Sequence, residues 1–236
     1  MMPTRESIGF FLPIRLGSQR VKHKNTRPFA GIAGGITELK LRQLKSCDAL
    51  DVIVVSTDSP KVLDIARRID PEGARFVLDE RPKHLCLDTT SLTDLIRYVP
   101  SVVPTDHILW GHTTTPFADA TAYRTVVTAY FEGLAQGHDS LVTVLPLQNF
   151  LLDAQTKALV NYAGDVAEKW PRTQDLPLLY EVNHVAFAAP KALYLQRDDR
   201  IGSNPFLLEQ NKIVSFDIDW QDDFTIAQAI YQQLYA

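Results

Sequence analysis

The sequence predicts an α/β fold with a mostly parallel sheet that helices cover on both faces. Short apolar runs such as Ile8–Ile14 and Val52–Val55 are continuous, which is typical of strands buried on both faces. Segments of helix length, with apolar residues at helical spacing, separate the first five of these runs. Strands joined by helices form right-handed βαβ units that build a parallel sheet. At 236 residues, the chain is expected to be one domain, residues 1–236.

Periodicity and capping residues assign the elements in order. Strands are predicted at residues 8–14, 52–55, 75–78, 107–110, 140–145, 182–188 and 212–219. Helices are predicted at 36–46, after Ser59-Pro60, after Ser91 with Asp94 as a capping box, after Asp119, and from about Asp222. The periodicity lapses between Pro146 and Tyr180. Residues 146–181 are therefore predicted to be an inserted arm that leaves the sheet.

Composition excludes several classes of protein. A formal net charge of −4 argues against the extended positive surface that bulk nucleic-acid binding requires. The two cysteines, Cys47 and Cys86, have neither metal-ligand spacing nor the density of a disulfide framework. No apolar run approaches the length of a signal-peptide core or a membrane span. We therefore expect a soluble, cytoplasmic protein with no nucleic-acid or membrane partner.

A basic loop follows the first strand, within the stretch Phe10–Asn25. It carries Arg15, Arg20, Lys22 and Lys24, and no acidic residue occurs between Glu6 and Glu38. Backbone N–H groups and cationic side chains in such a loop can bind a polyanion such as a nucleoside triphosphate. The loop has neither the Walker A ending nor the three-glycine dinucleotide spacing. An ordinary solvated basic loop is the alternative.

Two carboxylates form a candidate metal site in the predicted strand 212–219. Alternate side chains of a strand face the same side, so Asp217 and Asp219 would project together while Ile218 packs behind them. Such a pair can bind Mg²⁺, with water and substrate phosphate completing the coordination. Two solvated carboxylates at the end of a strand would give the same pattern.

Two further clusters carry polar groups suited to a ligand. Arg172, in a proline-bounded segment before Asn183, could pair bidentately with a carboxylate, or it could be a structural arginine. Arg81 and the hydroxyl-rich run from Asp88 to Ser91 suit hydrogen bonds to a sugar or base. They suit helix capping equally well.

Taken together, the motifs resemble the acylneuraminate cytidylyltransferases, or CMP-sialic acid synthetases. The match is collinear over nearly the whole chain: Pro13-x-Arg15-x-Gly-Ser18 with Lys24-Asn25, Val54-Val55-Ser56-Thr57-Asp58, Arg81-Pro82 with Asp88-Thr-x-Ser91, Thr115-Pro116, Arg172-x-Gln-Asp-Leu-Pro177-x-x-Tyr180-x-x-Asn183, and Asp217-Ile-Asp219 with Asp223-Phe224. The resemblance implies a nucleotide-diphospho-sugar transferase-like fold. It also implies CTP-dependent transfer of CMP onto a nine-carbon α-keto acid sugar, with release of pyrophosphate.

The resemblance also implies roles for individual residues. Arg15, Lys24 and Asp217 would be catalytic, and Asp217 and Asp219 would bind Mg²⁺. The nucleotide would contact Leu12, Pro13, Arg15, Gly17, Ser18, Arg20, Lys24, Asn25, Arg81 and Asp88. The sugar would contact His112, Thr113, Thr114, Arg172, Gln174, Tyr180 and Asn183. The arm falls where the family reaches over a partner subunit, which implies a homodimer.

The chain departs from the family pattern at four positions. Gln19 replaces a lysine or arginine, with Arg20 beside it as a possible substitute. His112, Ala118 and His184 replace a glutamine, an arginine and a glycine on the sugar side, which favours an altered sugar. His112 is interpreted as an uncharged hydrogen-bonding histidine. Two other functions stay open: transfer to a 3-deoxy-octulosonate or another sugar, and a non-catalytic CTP- or CMP-binding module.

Overall fold

The computed structural model describes residues 6–17, 20–161 and 170–235, which form seven strands and six α-helices. The strands are β1 (Ile8–Ile14), β2 (Val52–Thr57), β3 (Phe76–Glu80), β4 (His107–Trp110), β5 (Ser140–Leu147), β6 (Leu179–Pro190) and β7 (Pro205–Glu209). The helices are α1 (Gly35–Lys45), α2 (Pro60–Ile69), α3 (Leu92–Val102), α4 (Ala120–Ala135), α5 (Lys191–Arg197) and α6 (Gln221–Tyr235). The predicted α/β class is confirmed.

The sheet is mostly parallel, with strand order β3-β2-β1-β4-β6-β5-β7. Every neighbouring pair is parallel except the two that involve β6, which is antiparallel to both β4 and β5. The chain winds outward from β1 to β3 and then returns to place β4 on the other side of β1. Ligands of open α/β sheets bind at such a reversal, outside the carboxyl ends of the strands. The loops after β1 and β4 therefore lie where a site is expected.

Both faces of the sheet are covered by helices, as predicted. Along β1, Phe10 and Leu12 pack with residues of α1, α2 and α4, whereas Phe11 packs on the opposite face with residues of α3 and α5. All three side chains are fully buried. The alternation follows from the two-residue period of a strand, and it explains why the run is apolar without interruption. A third cluster, which includes Phe29, Ile218 and Phe224, packs α6 over the loop after β1.

Two of the three predicted helix caps make their hydrogen bonds. The Ser91 hydroxyl accepts from the backbone N–H of Asp94 at 3.1 Å, and Asp119 Oδ1 accepts from the N–H groups of Thr121 and Ala122, both at 2.9 Å. Ser59 occupies the N-cap of α2 before Pro60, but its side chain makes no capping bond. Its hydroxyl oxygen is buried with no hydrogen-bond partner among the described residues.

The predicted last strand at 212–219 is wrong. The side chain of Asn211 accepts hydrogen bonds from the backbone N–H groups of Ile213 and Val214, at 3.0 and 2.9 Å, and so folds residues 211–216 into turns. This local bonding competes with a sheet ladder, as asparagine side chains commonly do. The last strand is instead β7, which pairs with β5 in parallel. The sequence analysis predicted neither β7 nor α5.

The predicted arm at 146–181 begins and ends as strand rather than as irregular chain. β5 and β6 extend beyond the sheet as a two-stranded ribbon, in which Pro146 pairs with Tyr180 and Leu147 with Leu179. The arm exposes large apolar side chains, and Trp170 meets Phe150 edge to face with ring centroids 5.1 Å apart. Residues 162–169 of the predicted arm lie outside the described residues. In the part of the chain that the structure describes, no helix has the length and apolarity needed to cross a bilayer.

Candidate active site

A cationic cleft opens where the loops after β1 and β4 meet. It has a volume of about 180 Å³ and is lined by Pro13, Arg15, Gly17, Arg20, Lys24, Asn25, His112, Thr113 and Thr114. Three of these nine side chains carry a positive charge and none is a carboxylate. The structure thus brings most of the predicted nucleotide-binding residues together with three of the predicted sugar-binding residues.

Hydrogen bonds between the two loops fix the walls of the cationic cleft. Thr113 Oγ1 donates to Asn25 Oδ1 at 3.0 Å, and Asn25 Nδ2 donates to the backbone carbonyl of Arg15 at 3.4 Å. The Arg15 guanidinium forms an ion pair with Asp88, which lies 73 residues away in sequence. The loop after β1 is therefore held from both sides. A bound phosphate would compete with Asp88 for Arg15.

Lys24 joins the cationic cleft to the segment after β7. The residue is 9% exposed, and its Nζ donates to the backbone carbonyl of Ile218 at 2.5 Å. Burial lowers the pKa of Lys24, while the nearby carboxylates of Asp217 and Asp219 oppose the shift. A lysine held this way is a fixed donor whose charge is poorly solvated, so an incoming phosphate gains more from it than from a surface lysine.

A second cavity, which we term the acidic cavity, lies on the other side of Lys24. It measures about 300 Å³ and is lined by Glu181, Val182, Asn183, His184, Ser215, Asp217, Asp219, Trp220 and Asp223. Asp217 and Asp219 face the same space, although the predicted strand that was to align them is absent. Ile218 points inward and is fully buried, and its N–H donates to the carbonyl of Thr114 at 2.9 Å. The cavity therefore adjoins the loop after β4.

The carboxylates of the acidic cavity fit a divalent cation. Burial raises the pKa of Asp217, and its Oδ1 is buried with no hydrogen-bond partner among the described residues. Such an orphaned carboxylate oxygen is costly unless a ligand compensates it. Within residues 6–17, 20–161 and 170–235, no group of three His, Cys, Asp or Glu side chains could hold a metal. Two carboxylates plus substrate phosphate and water are the donor set that Mg²⁺ commonly uses.

The other two aspartates of this region have partners. Asp219 pairs with Arg20 at 2.8 Å, and the Arg20 guanidinium also lies 5.1 Å from the Trp220 ring centroid. Asp223 Oδ2 accepts from the N–H groups of Asp219 and Trp220, at 3.0 and 2.6 Å. Asp223 thus shapes the turn, and a cation bound at Asp219 would compete with Arg20.

The two histidines between the cavities differ in what their rings can do. Trp110 Nε1 donates to His112 Nε2 at 3.2 Å, so the His112 proton is on Nδ1, which donates to the carbonyl of His184 at 3.1 Å. Burial lowers the pKa of His112 to about 3. His112 is therefore neutral with both nitrogens engaged, as the sequence interpretation held. The His184 ring lines the acidic cavity instead.

A bulge in β6 places His184 at the acidic cavity. In this antiparallel pair, Val142 of β5 lies opposite Phe187 of β6, and Val144 lies opposite Val182. One residue of β5 therefore faces four residues of β6, which form the bulge. Within the bulge His184 has φ of 60°, a left-handed conformation that side chains rarely adopt. Asn183 anchors the bulge: its amide oxygen accepts from Thr143 Oγ1 at 2.6 Å, and its amide nitrogen donates to Ser215 Oγ at 2.9 Å. Bulges next to active sites commonly re-aim side chains in this way.

Several predicted site residues lie apart from both cavities. Arg172 makes a bidentate ion pair with Asp175 at 2.8 and 3.0 Å. Tyr180 donates to Glu209 at 2.6 Å, and the Gln174 carbonyl accepts from Gln148. These three residues belong to the predicted arm and line neither cavity.

The remaining predicted nucleotide-binding residues occupy different surroundings. Arg81 is buried, donates to the Ser56 carbonyl at 2.5 Å, and lines a separate cavity that includes Thr57 and Asp58. Leu12 is fully buried in the core, which leaves only its backbone for a ligand. Ser18, like Gln19, lies outside the described residues.

Sequence reasoning missed Glu181, Ser215 and Trp220 as lining residues, and it overlooked Lys40. Lys40 is fully buried on α1, between Ile36 and Leu44 at a spacing of four residues. A lysine in the apolar stripe of a helix is the signal that would have identified it. The three lining residues carried no comparable signal, because the bulge and the turns that gather them depend on contacts distant in sequence.

Comparisons with known proteins bear on the family and the fold of this chain. The sequence model of the family described as Cytidylyltransferase matches residues 10–235. No curated protein matches the sequence. Among solved structures, the chain is similar to CMP:2-keto-3-deoxy-manno-octonic acid synthetase complexed with CTP, at 13% identity and a TM-score of 0.63, covering 96% of this chain and 99% of that one.

Two other solved structures have the same fold. One is 4-diphosphocytidyl-2C-methyl-D-erythritol synthase from Anaerococcus prevotii, at 14% identity and a TM-score of 0.61, covering 96% of each chain. The other is a cytidylyltransferase from Leptospira borgpetersenii, at 16% identity and a TM-score of 0.57, covering 98% of this chain and 89% of that one. At such identities the likeness establishes the fold alone.

Proposed function

The chain belongs to the cytidylyltransferase family, and from that premise we propose that it transfers CMP from CTP to a nonulosonic acid, a nine-carbon α-keto acid sugar, with release of pyrophosphate. The observation that carries the proposal is the hydrogen bond that joins the two cavities at their boundary. Lys24, at the edge of the cationic cleft, donates to the backbone between the carboxylates of Asp217 and Asp219. A triphosphate bound in the cationic cleft would therefore lie beside the proposed metal ligands.

The cationic residues stabilise the charge that develops during transfer. The acceptor oxygen attacks the α-phosphorus of CTP, the bond from that phosphorus to the pyrophosphate oxygen breaks, and the proton of the acceptor hydroxyl passes to solvent water. Arg15, Arg20 and Lys24 line the cleft and neutralise the phosphate oxygens and the departing pyrophosphate. Mg²⁺ held by Asp217 and Asp219 would add positive charge at the phosphates and make the acceptor hydroxyl more acidic.

The nucleoside end of CTP is proposed to contact the rest of the predicted set. Gly17, Pro13 and Asn25 line the cleft directly, and Asp88 reaches it through Arg15. Leu12 would contribute only backbone atoms. Arg81 would contribute through the neighbouring cavity at the end of β2, and Ser18 completes the proposed set.

The acceptor is proposed to bind beside His112, Thr113, Thr114 and Asn183. His184 and the exposed Trp220 also line this side of the site. Arg172, Gln174 and Tyr180 are proposed to complete it from a partner's arm in a homodimer, because they line neither cavity of their own subunit. The exposed apolar residues of the arm, Leu178, Leu179 and Trp170, would be covered in such a dimer.

Sedimentation of the wild type and of Leu179→Glu tests the proposed dimer. A wild-type dimer that the introduced charge dissociates supports the proposal, and a monomeric wild type contradicts it.

A pyrophosphate-release assay tests the reaction. Purified protein with Mg²⁺ is given CTP, ATP or UTP and a panel of sialic, legionaminic, pseudaminic and 3-deoxy-octulosonic acids. Release with CTP and a nine-carbon acid supports the proposal. Release only with the eight-carbon acid supports the alternative acceptor. Tight CTP binding without turnover on any acceptor indicates a CTP-binding module and overturns the proposal.

A further inference from the structure

Lys40 is a buried amine that the proposed chemistry does not use. Its Nζ lies 2.8 Å from the carbonyl oxygen of Thr115, 2.6 Å from that of Ala118 and 3.1 Å from Tyr123 Oη. The residue is fully buried, and none of these three partners is a carboxylate. Burying an ammonium group without a counter-ion costs several kcal/mol, so a lysine is a poor choice for this position on stability grounds alone.

Three hydrogen bonds hold the Lys40 amine in place. Its Nζ donates to the backbone carbonyls of Thr115 and Ala118 and to the Tyr123 hydroxyl, so each of the three donors of an ammonium group has an acceptor. Burial lowers the pKa of Lys40 to about 7, while the charge of Asp119 opposes the shift. The amine is therefore fixed to the backbone at two positions.

The segment that Lys40 holds, residues 112–118, connects the two halves of the site. Thr113 bonds to Asn25 in the cationic cleft. The carbonyl of Thr114 accepts from the Ile218 N–H at 2.9 Å, and Ile218 lies between Asp217 and Asp219 in the chain. Lys40 thus bonds to the C-terminal part of the segment, at Thr115 and Ala118. The preceding residues, Thr113 and Thr114, bond to the cationic cleft and to the backbone beside Asp217.

We propose that Lys40 is a positioning residue for cytidylyl transfer: by fixing the backbone of residues 112–118, it aligns Asp217 with the cationic cleft. The inference rests on the proposed function, because alignment matters only if phosphate and metal meet there. Small displacements at a reacting centre are expensive: a shift of about 1 Å can cost about 100-fold in rate. A lysine that served only to stabilise the fold would have no such effect on turnover.

The test compares Lys40→Met with Lys45→Met. Lys45 lies on the same helix and also donates to a backbone carbonyl, that of Ile69 at 2.6 Å, but it contacts neither cavity. We expect Lys40→Met to lower kcat about 10- to 100-fold and to raise the Mg²⁺ concentration for half-maximal rate, with the CTP Kd in metal-free buffer changed by less than about threefold. Lys45→Met should leave kcat and the Mg²⁺ dependence unchanged.

Two further measurements keep the outcome decisive. Mn²⁺ titration with CTP present, followed by electron paramagnetic resonance, reports the alignment without turnover, and Lys40→Met should bind Mn²⁺ more weakly. If Lys40→Met does not fold, Lys40→Gln replaces it, because an amide retains N–H donors. A folded Lys40 variant with wild-type kcat and Mn²⁺ affinity overturns the inference, as does an equal loss in Lys45→Met. Absence of turnover in the wild type would instead count against the proposed function.

Discussion

The cationic cleft and the acidic cavity adjoin each other yet are lined by opposite charges. The first carries Arg15, Arg20 and Lys24 with no carboxylate, whereas the second carries Glu181, Asp217, Asp219 and Asp223 with no lysine or arginine. Two cations of the first cavity bond across the boundary: Arg20 to the carboxylate of Asp219, and Lys24 to the backbone carbonyl of Ile218.

The contrast indicates how one site can serve two reactants. A triphosphate needs cations around its oxygens, but a cation placed at the metal ligands would occupy the position that Mg²⁺ requires. Under the proposed function, separating the charges would let each cavity bind its own group, and the α-phosphorus and the acceptor hydroxyl would meet at the boundary. Substitutions on the two sides should consequently fail in different ways.

The largest effect is expected from Asp217→Asn. Loss of the metal ligand should lower turnover about 1,000-fold, since metal stabilisation of the transition state is worth several kcal/mol. The melting temperature should not fall, because burial already raises the pKa of Asp217 and so disfavours the ionised group. Pyrophosphate release and thermal melts measure both quantities. Asp222→Asn, an exposed change in the first turn of α6, is the matched control. A loss of less than tenfold would show that the carboxylate has no role in the reaction.

A smaller effect, on binding, is expected from Lys24→Met. Charge-assisted hydrogen bonds to a buried cation are worth about 1.5–3 kcal/mol, so the CTP Kd should rise roughly 10- to 100-fold. Lys22→Met is the control, because Lys22 is exposed and lines a different cavity with Leu16 and Lys61. Isothermal titration with CTP in metal-free buffer gives the affinities. Equal losses in the two variants would mean that general charge, and not the cleft, binds CTP.

Arg20→Ala examines the boundary itself. Arg20 lines the cleft and pairs with Asp219 across to the acidic cavity. Its removal should weaken CTP about tenfold if Arg20 makes the phosphate contact that Gln19 cannot. The same change frees Asp219, so Mn²⁺ binding without nucleotide should become tighter. CTP affinity that stays at the wild-type level would refute compensation by Arg20.

His112→Gln should alter stability and its pH dependence more than activity. A glutamine can accept from Trp110 and donate to the His184 carbonyl, so the hydrogen bonds survive. The folded-state pKa of His112 is about 3, below its ordinary value of 6.5, so the unfolded chain takes up the proton first as the pH falls. Wild-type stability should therefore decline from pH 6.5 to pH 4 more steeply than that of the variant.

Urea unfolding at several pH values measures the difference, in which contributions from the carboxylates cancel. His84→Gln, at an exposed position, should retain the wild-type slope. Parallel slopes for the wild type and His112→Gln would contradict the neutral, fully bonded histidine.

The sheet was predictable to a large extent because its core strands carry local signals. β1 and β2 are continuous apolar runs, and the predicted caps at Ser91 and Asp119 mark real helix starts. The prediction of a strand at 212–219 failed because the side chain of Asn211 accepts hydrogen bonds from backbone N–H groups that a sheet would otherwise use. β-propensity describes fit to a packed surface, and it carries no information about such a competitor.

The cationic cleft was predictable for the same reason, since its charges lie within ten residues of one loop, from Arg15 to Lys24. The acidic cavity was visible only through Asp217 and Asp219. His184 reaches it through a bulge whose anchors, Thr143 and Ser215, lie 40 and 32 residues from Asn183. Contacts of that separation leave no periodic pattern in the sequence. The ion pair between Arg15 and Asp88 was unpredictable for the same reason.

The hydrogen bond from Lys24 to Ile218 spans 194 residues, and it has a consequence for local opening of the fold. Ile218 and Phe224 pack with Phe29 in the third cluster, apart from the seven strands of the sheet. An opening in which this C-terminal segment leaves Phe29 would therefore remove a hydrogen-bond partner from Lys24 while every strand of the sheet stays paired.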